Sequence, residues 1–146
     1  MSFIQQAAAS KERIQSEYFS PGEFRVRINN FTLGQNRHGD EFVVLETEIL
    51  ESSTPDTNPV GSERSWLQMT RKDMTGPNIK GFIARLLSVK DSTTTEEWET
   101  IIKNALATPS PLIGYEVSVT AKEITTRSGN PFTVLDWKGP GQPPVS

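Results

Sequence analysis

Two stretches of the chain carry the same residue types at the same spacing. Arg37-His38-Gly39-Asp40-Glu41-Phe42-Val43-Val44-Leu45 and Arg127-Ser128-Gly129-Asn130-Pro131-Phe132-Thr133-Val134-Leu135 both read R-x-G-x-x-F-x-V-L. Arginine keeps its charge and offers a fork of N–H donors that suits phosphate oxygens. An exposed phenylalanine offers a face on which a nucleobase stacks, worth roughly 1–3 kcal/mol per base whatever the base. The glycine supplies a positive φ for a tight turn, the phenylalanine opens a return strand, and the Val-Leu pair puts one residue on each face. The bland alternative is that the repeat is hairpin grammar alone.

Other chemistries have little to work with. The chain has no cysteine and a single histidine, His38. A disulfide scaffold and a thiolate metal site are excluded, and a histidine zinc cage or a Ser-His-Asp triad has little to work with. His38 itself reads as a polar turn residue. No phosphate-cradling glycine loop is present, and no Asp/Glu cluster has metal spacing. Glu96 and Glu97 sit at a helix start, where the helix dipole already accounts for them. The expectation is a non-enzyme with no cofactor and no metal.

The positioning elements follow from periodicity. The 146 residues suit one domain, and ten glycines with ten prolines imply many turns. Apolar alternation predicts strands over about 23–31 (Phe24, Val26, Ile28), 41–51 (Val43, Leu45, Thr47, Ile49), 64–70, 114–124 (Tyr115, Val117, Val119, Ala121) and 132–137. Two helices fall between the third and fourth strands. Ile79, Phe82, Ile83, Leu86 and Leu87 form one apolar stripe, with Asn78 as N-cap; Trp98, Ile101, Ile102, Ala105 and Leu106 form the other. Thr94 and Glu97 have capping-box spacing. Residues 52–62 read as a long exposed loop. Residues 1–21 read as an N-terminal arm with helical composition, 22–138 as the domain, and 139–146 as a flexible Gly/Pro-rich tail.

Three strands, a helical insertion and two strands give a mainly β fold: a five-stranded OB-fold-like Greek-key barrel with a two-helix insertion between strands 3 and 4. In that architecture the loops joining strands one to two and four to five flank one binding cleft. Arg37 and Arg127 then become paired phosphate contacts, and Phe42 and Phe132 stacking platforms. Arg25 and Arg27 lie on the non-core face of the first strand, and Trp66 opposes Leu67 and Met69. Arg71 and Lys72 follow the third strand, and Lys122 faces outward on the fourth. Each of these has an ordinary alternative: solvated charge for the cations, packing for Trp66. Trp98 and Trp137 read as core; Lys80 and Arg85 read as ordinary surface charges.

Gly22-Glu23-Phe24-Arg25-Val26-Arg27-Ile28, the Arg37-His38-Gly39 turn, Ser65-Trp66 and Asn78-Ile79-Lys80-Gly81-Phe82 together resemble phage-encoded OB-fold single-stranded-DNA-binding proteins. The resemblance covers roughly 22–137. It implies a role in replication or recombination, coating transient single strands without sequence preference. Many such proteins end in an acidic tail that recruits partners, whereas Gly139 to Ser146 contain no acid.

Net charge is −3, mildly unfavourable to nucleic acid taken alone, so the distribution of charge decides. The leading expectation is sequence-non-specific binding of single-stranded DNA; stacking would serve RNA equally. A homodimer or higher homo-oligomer and replication proteins are further partners this reading allows. The competing expectation is a structural or protein-interaction module, such as a virion or assembly component, that ignores nucleic acid. Neither a signal-peptide pattern nor an apolar run of membrane-spanning length is visible, so the expectation is no membrane and a cytoplasmic location, the host cytoplasm for a phage protein.

Overall fold

The structure, a computed structural model, describes residues 18–144. Five antiparallel strands form one open sheet: β1 (Gly22–Gln35), β2 (Glu41–Ser52), β3 (Glu63–Met69), β4 (Glu116–Thr125) and β5 (Pro131–Gln142), in spatial order β3-β2-β1-β4-β5. Helices α1 (Thr75–Leu87) and α2 (Thr95–Ala105) lie between β3 and β4 in the chain. The expected strand and helix order is therefore present. The helical expectation for 1–17 lies outside the described residues.

Alternation explains the strands, and one irregularity explains where it breaks. Phe24, Val26 and Ile28 point into the core, and the next buried residue is Phe31. The β1–β2 register shifts between Ile28 and Asn30, a bulge that inserts one residue and bends the strand. Inward parity moves from even to odd numbers, so Phe31 rather than Asn30 reaches the core. On β2 the inward set is Val43, Leu45, Thr47 and Ile49, as alternation predicts. Ile79, Phe82, Ile83 and Leu86 of α1 are buried against the sheet. Thr94 and Glu97 form the capping box of α2.

The sheet curls until its two edge strands meet. Trp66 on β3 and Trp137 on β5 have ring centroids 5.5 Å apart, and Phe82 packs on both, at 5.7 and 4.7 Å. No backbone ladder joins these two strands among the described residues.

Three expectations change, and one is sharpened. β5 runs on to Gln142, so the expected flexible tail begins inside a strand. The glycines there serve close packing: a Cβ on Gly139 would overlap the Arg85 carbonyl oxygen, and one on Gly141 would overlap Leu86 Cδ1. Phe19, assigned to the arm, is a core residue 5.5 Å from Phe24. The 52–62 loop is largely exposed, as expected, and is anchored at one point, where Asn58 is fully buried and its side chain bonds Ser20 and Arg64. Finally, α1 starts at Thr75 with Met74 as N-cap, not at Asn78. Pro77 is tolerated because first-turn amides have no helical partner.

Candidate nucleic-acid interface

The twin turns share one backbone geometry. In the β1–β2 tip the Asn36 amide donates to Asp40 O at 2.9 Å and the Gly39 amide to Asn36 O at 3.0 Å. In the β4–β5 tip the Thr126 amide donates to Asn130 O at 2.9 Å and the Gly129 amide to Thr126 O at 2.9 Å. Gly39 has φ +83 and Gly129 φ +84, the left-handed conformation the sequence motif calls for. Each turn leaves its arginine exposed. Neither Arg37 nor Arg127 has an ion pair among the described residues.

The register does not put these arginines side by side. β1 ends at the first tip, where Gln35 pairs with Glu41. The start of β1 pairs with β4, Gly22 opposite Ala121, and β4 continues past it toward Thr125 and the second tip. The two tips extend beyond opposite ends of β1. The interface expected from the sequence is thus spread along a strand of 14 residues, about 45 Å of contour at roughly 3.3 Å per residue.

At the first tip the outer face carries an apolar row. Phe42 pairs with Met69 on β3 and with Gly34 on β1; Val44 pairs with Leu67. A Cβ on Gly34 would stand 2.7 Å from Phe42 Cζ, so the missing side chain lets the ring lie across β1. Leu67 is 42% exposed. The Thr70 amide bonds Glu41 O at 3.0 Å, which brings exposed Arg71 and Lys72 to the same end as Arg37. Asp40, Glu41 and Asp73 are interleaved with these cations, so formal charge at this end balances.

The second tip is a projecting ribbon. Lys122, Glu123, Ile124 and Thr125 are all exposed, covering both faces of β4. Ile124 and Phe132 form a cross-strand pair, 46% and 53% exposed, and Lys122 pairs with Val134 on the same outer face.

Arg25 and Arg27 do lie on the outer face, but they are engaged. Arg25 donates to Ser118 Oγ (3.2 Å) and Gln142 Oε1 (2.8 Å) and sits 3.8 Å from Glu116. Arg27 lies 3.9 Å from Glu48. Trp66 leaves the candidate set: it is buried in the aromatic cluster and presents no face to a ligand. Its strand alternation has the opposite sense from a binding strand, with tryptophan inward and Leu67 and Met69 outward. Those two, and Ile124, are the surface residues the sequence reading passed over. Their cross-strand pairing with Val44, Phe42 and Phe132 was the available signal. No cluster of metal-ligating side chains occurs among the described residues, and no helix there is long and apolar enough to cross a membrane. No known family model matches this sequence, and no curated protein matches it.

Proposed function

We propose that this protein binds single-stranded DNA without sequence preference, on an OB-type Greek-key barrel, in phage-type replication or recombination. The observation that carries the reading is the pair of matched tips, each with an exposed arginine that has no ion pair among the described residues and a phenylalanine on the outer face of its return strand. Bases stack on Phe42 and Phe132, while Arg37, Arg71, Lys72, Lys122 and Arg127 meet backbone phosphates. Arg25 and Arg27, engaged by Glu116 and Glu48, hold the face between the tips. The strand order, the side-chain contact between β3 and β5, and the helices between β3 and β4 in the chain support the barrel reading.

The charge pattern sets the expected salt response. Five cations meeting five phosphates give a slope of log K against log salt of about −3.5 for a single strand, and the interleaved carboxylates make it shallower. Stacking then supplies most of the salt-resistant affinity. The test is a polarisation titration of fluorescent oligo-dT. Binding that survives at moderate salt is expected; no polarisation change at low salt ends the reading.

A second reading has its own observation. Leu67, Ile124 and Phe132 are each more than 40% exposed, which also suits a protein-docking module in an assembly. That module would form stable complexes with protein and ignore oligonucleotides.

A further inference from the structure

Arg85 and Lys138 fall outside the interface just described, yet the fold gathers them beside Lys122. Gly139 lets β5 run against the end of α1 with Arg85 O at its Cα. The two elements form an open depression of about 560 Å³ lined by Arg85, Ser88, Asp136, Trp137 and Lys138. Lys138 Nζ bonds Asp136 Oδ2 at 2.9 Å. Thr120 faces Asp136 and Lys122 faces Val134 in the β4–β5 ladder, so Lys122 and Asp136 are diagonal neighbours on one face, within reach of long side chains. The Lys138 hydrogen bond holds the Asp136 carboxyl below its ordinary range against a smaller opposing effect of burial. The charges of Lys138, Lys122 and Arg85 act in the same downward direction.

We propose that Arg85, Lys122 and Lys138, grouped around Asp136, form a second phosphodiester subsite that guides a single strand from the β4–β5 tip along β5 to α1. The proposal rests on the single-strand reading above. Three cations against one carboxylate leave an excess of two positive charges on a chain whose net charge is −3. Of the other carboxylates on this face, Glu116 lies two residues from Ser118, the partner of Lys138, and is engaged by Arg25, while Glu23 lies across Thr120 on β1. Two strand spacings put it about 10 Å away, near the screening length of physiological salt. Glu123 pairs with Thr133 and so belongs to the opposite face. A phosphodiester carries one charge and acceptor oxygens on every unit, which matches a short row of Lys and Arg. The row begins where it is needed, since Lys122 shares its face with the Ile124–Phe132 pair. A base stacked on Phe132 therefore puts its backbone beside Lys122, with Lys138 and Arg85 next along β5.

The experiment compares oligo-dT affinity across salt for the wild type and three variants. The double variant Arg85→Gln/Lys138→Gln, which leaves Lys122 of the first interface in place, is expected to bind several-fold more weakly and to lose about 1.4 from the salt slope, two phosphates at roughly 0.7 each. The charge-keeping variant Arg85→Lys/Lys138→Arg is expected to stay near wild type. Asp136→Asn, which removes the competing carboxylate, is expected to bind several-fold more tightly. Should the wild type bind while the glutamine variant keeps its affinity and slope, the subsite is wrong and the single-strand reading stands. A wild type that binds nothing removes both. If the glutamine variant does not fold, Asp136→Asn decides, and no gain in affinity overturns the subsite.

Discussion

Trp66 and Trp137 pack with ring centroids 5.5 Å apart and planes tilted by 55°, on strands that no backbone ladder joins among the described residues. Side chains, not backbone, bring the edges of the sheet together, and Phe82 of α1 fills the third side of the contact. The Trp137 indole N–H is buried with no acceptor among the described residues. A buried donor without a partner costs about 1–3 kcal/mol. Trp137→Phe removes that donor while keeping an aromatic ring, so the lost area is largely offset and destabilisation stays below about 1.5 kcal/mol. Trp137→Ala empties the seam and costs about 3–5 kcal/mol. Urea unfolding of the two variants checks the ordering.

The two outward phenylalanines separate binding from folding. Phe132 is 53% exposed, so Phe132→Ala changes stability by less than about 0.5 kcal/mol. Under the stacking mechanism it weakens oligo-dT binding by about 1–3 kcal/mol, roughly 5- to 150-fold. Phe42→Ala has the same effect on affinity but also uncovers β1 at Gly34, so its stability falls as well. Thermal melts beside polarisation titrations read the two effects apart. Trp66→Phe is the contrast, with affinity unchanged because the ring is buried.

Asn58 ties together three parts of the chain. Its Oδ1 accepts from the Ser20 amide at 3.1 Å and from Arg64 Nε at 3.3 Å, and its amide donates to Thr54 Oγ1 at 3.0 Å. Arg64 is itself buried and also donates to Thr57 O and Glu63 O. Asn58→Ala strips a buried cation of one acceptor, at a cost of about 2–3 kcal/mol. The loss is expected first near Ser20, so limited proteolysis cuts around Phe19 sooner than in the wild type.

Local pattern made much of this legible. Gly39 and Gly129 announced their turns, the Ile79-Phe82-Ile83-Leu86 stripe announced α1, and Thr94 with Glu97 announced the start of α2. These depend on neighbours in sequence. What stayed hidden depends on partners far along the chain. Nothing near Asn58 shows that Arg64 and Ser20 will close around it. Gly139 and Gly141 read as a loose tail until α1 is seen against them. The inward turn of Trp66 is set by its pairing with Leu45, and the separation of Arg37 from Arg127 by the β1–β4 register. A repeated motif reports local geometry faithfully, but not which end of the sheet each copy occupies.

Tyr18 gives the fold an alkaline limit. Its hydroxyl donates to Thr133 O on β5 at 3.2 Å, and burial pushes the phenol from 10.0 up to about 12. The folded state disfavours the phenolate relative to the unfolded chain. Tyr18 therefore contributes its full stability below pH about 10 and loses it as pH rises from there through about 12. Ionisation also removes the proton that bonds Thr133. Because the residue is 39% exposed, water screens part of the penalty and the change is smaller than the shift alone implies. Tyr18→Phe has no proton to lose. Paired urea titrations are expected to show the wild type losing stability relative to Tyr18→Phe across this interval, with a constant difference below it. Parallel pH profiles for the two proteins would show that Tyr18 ionises as it does in the unfolded chain.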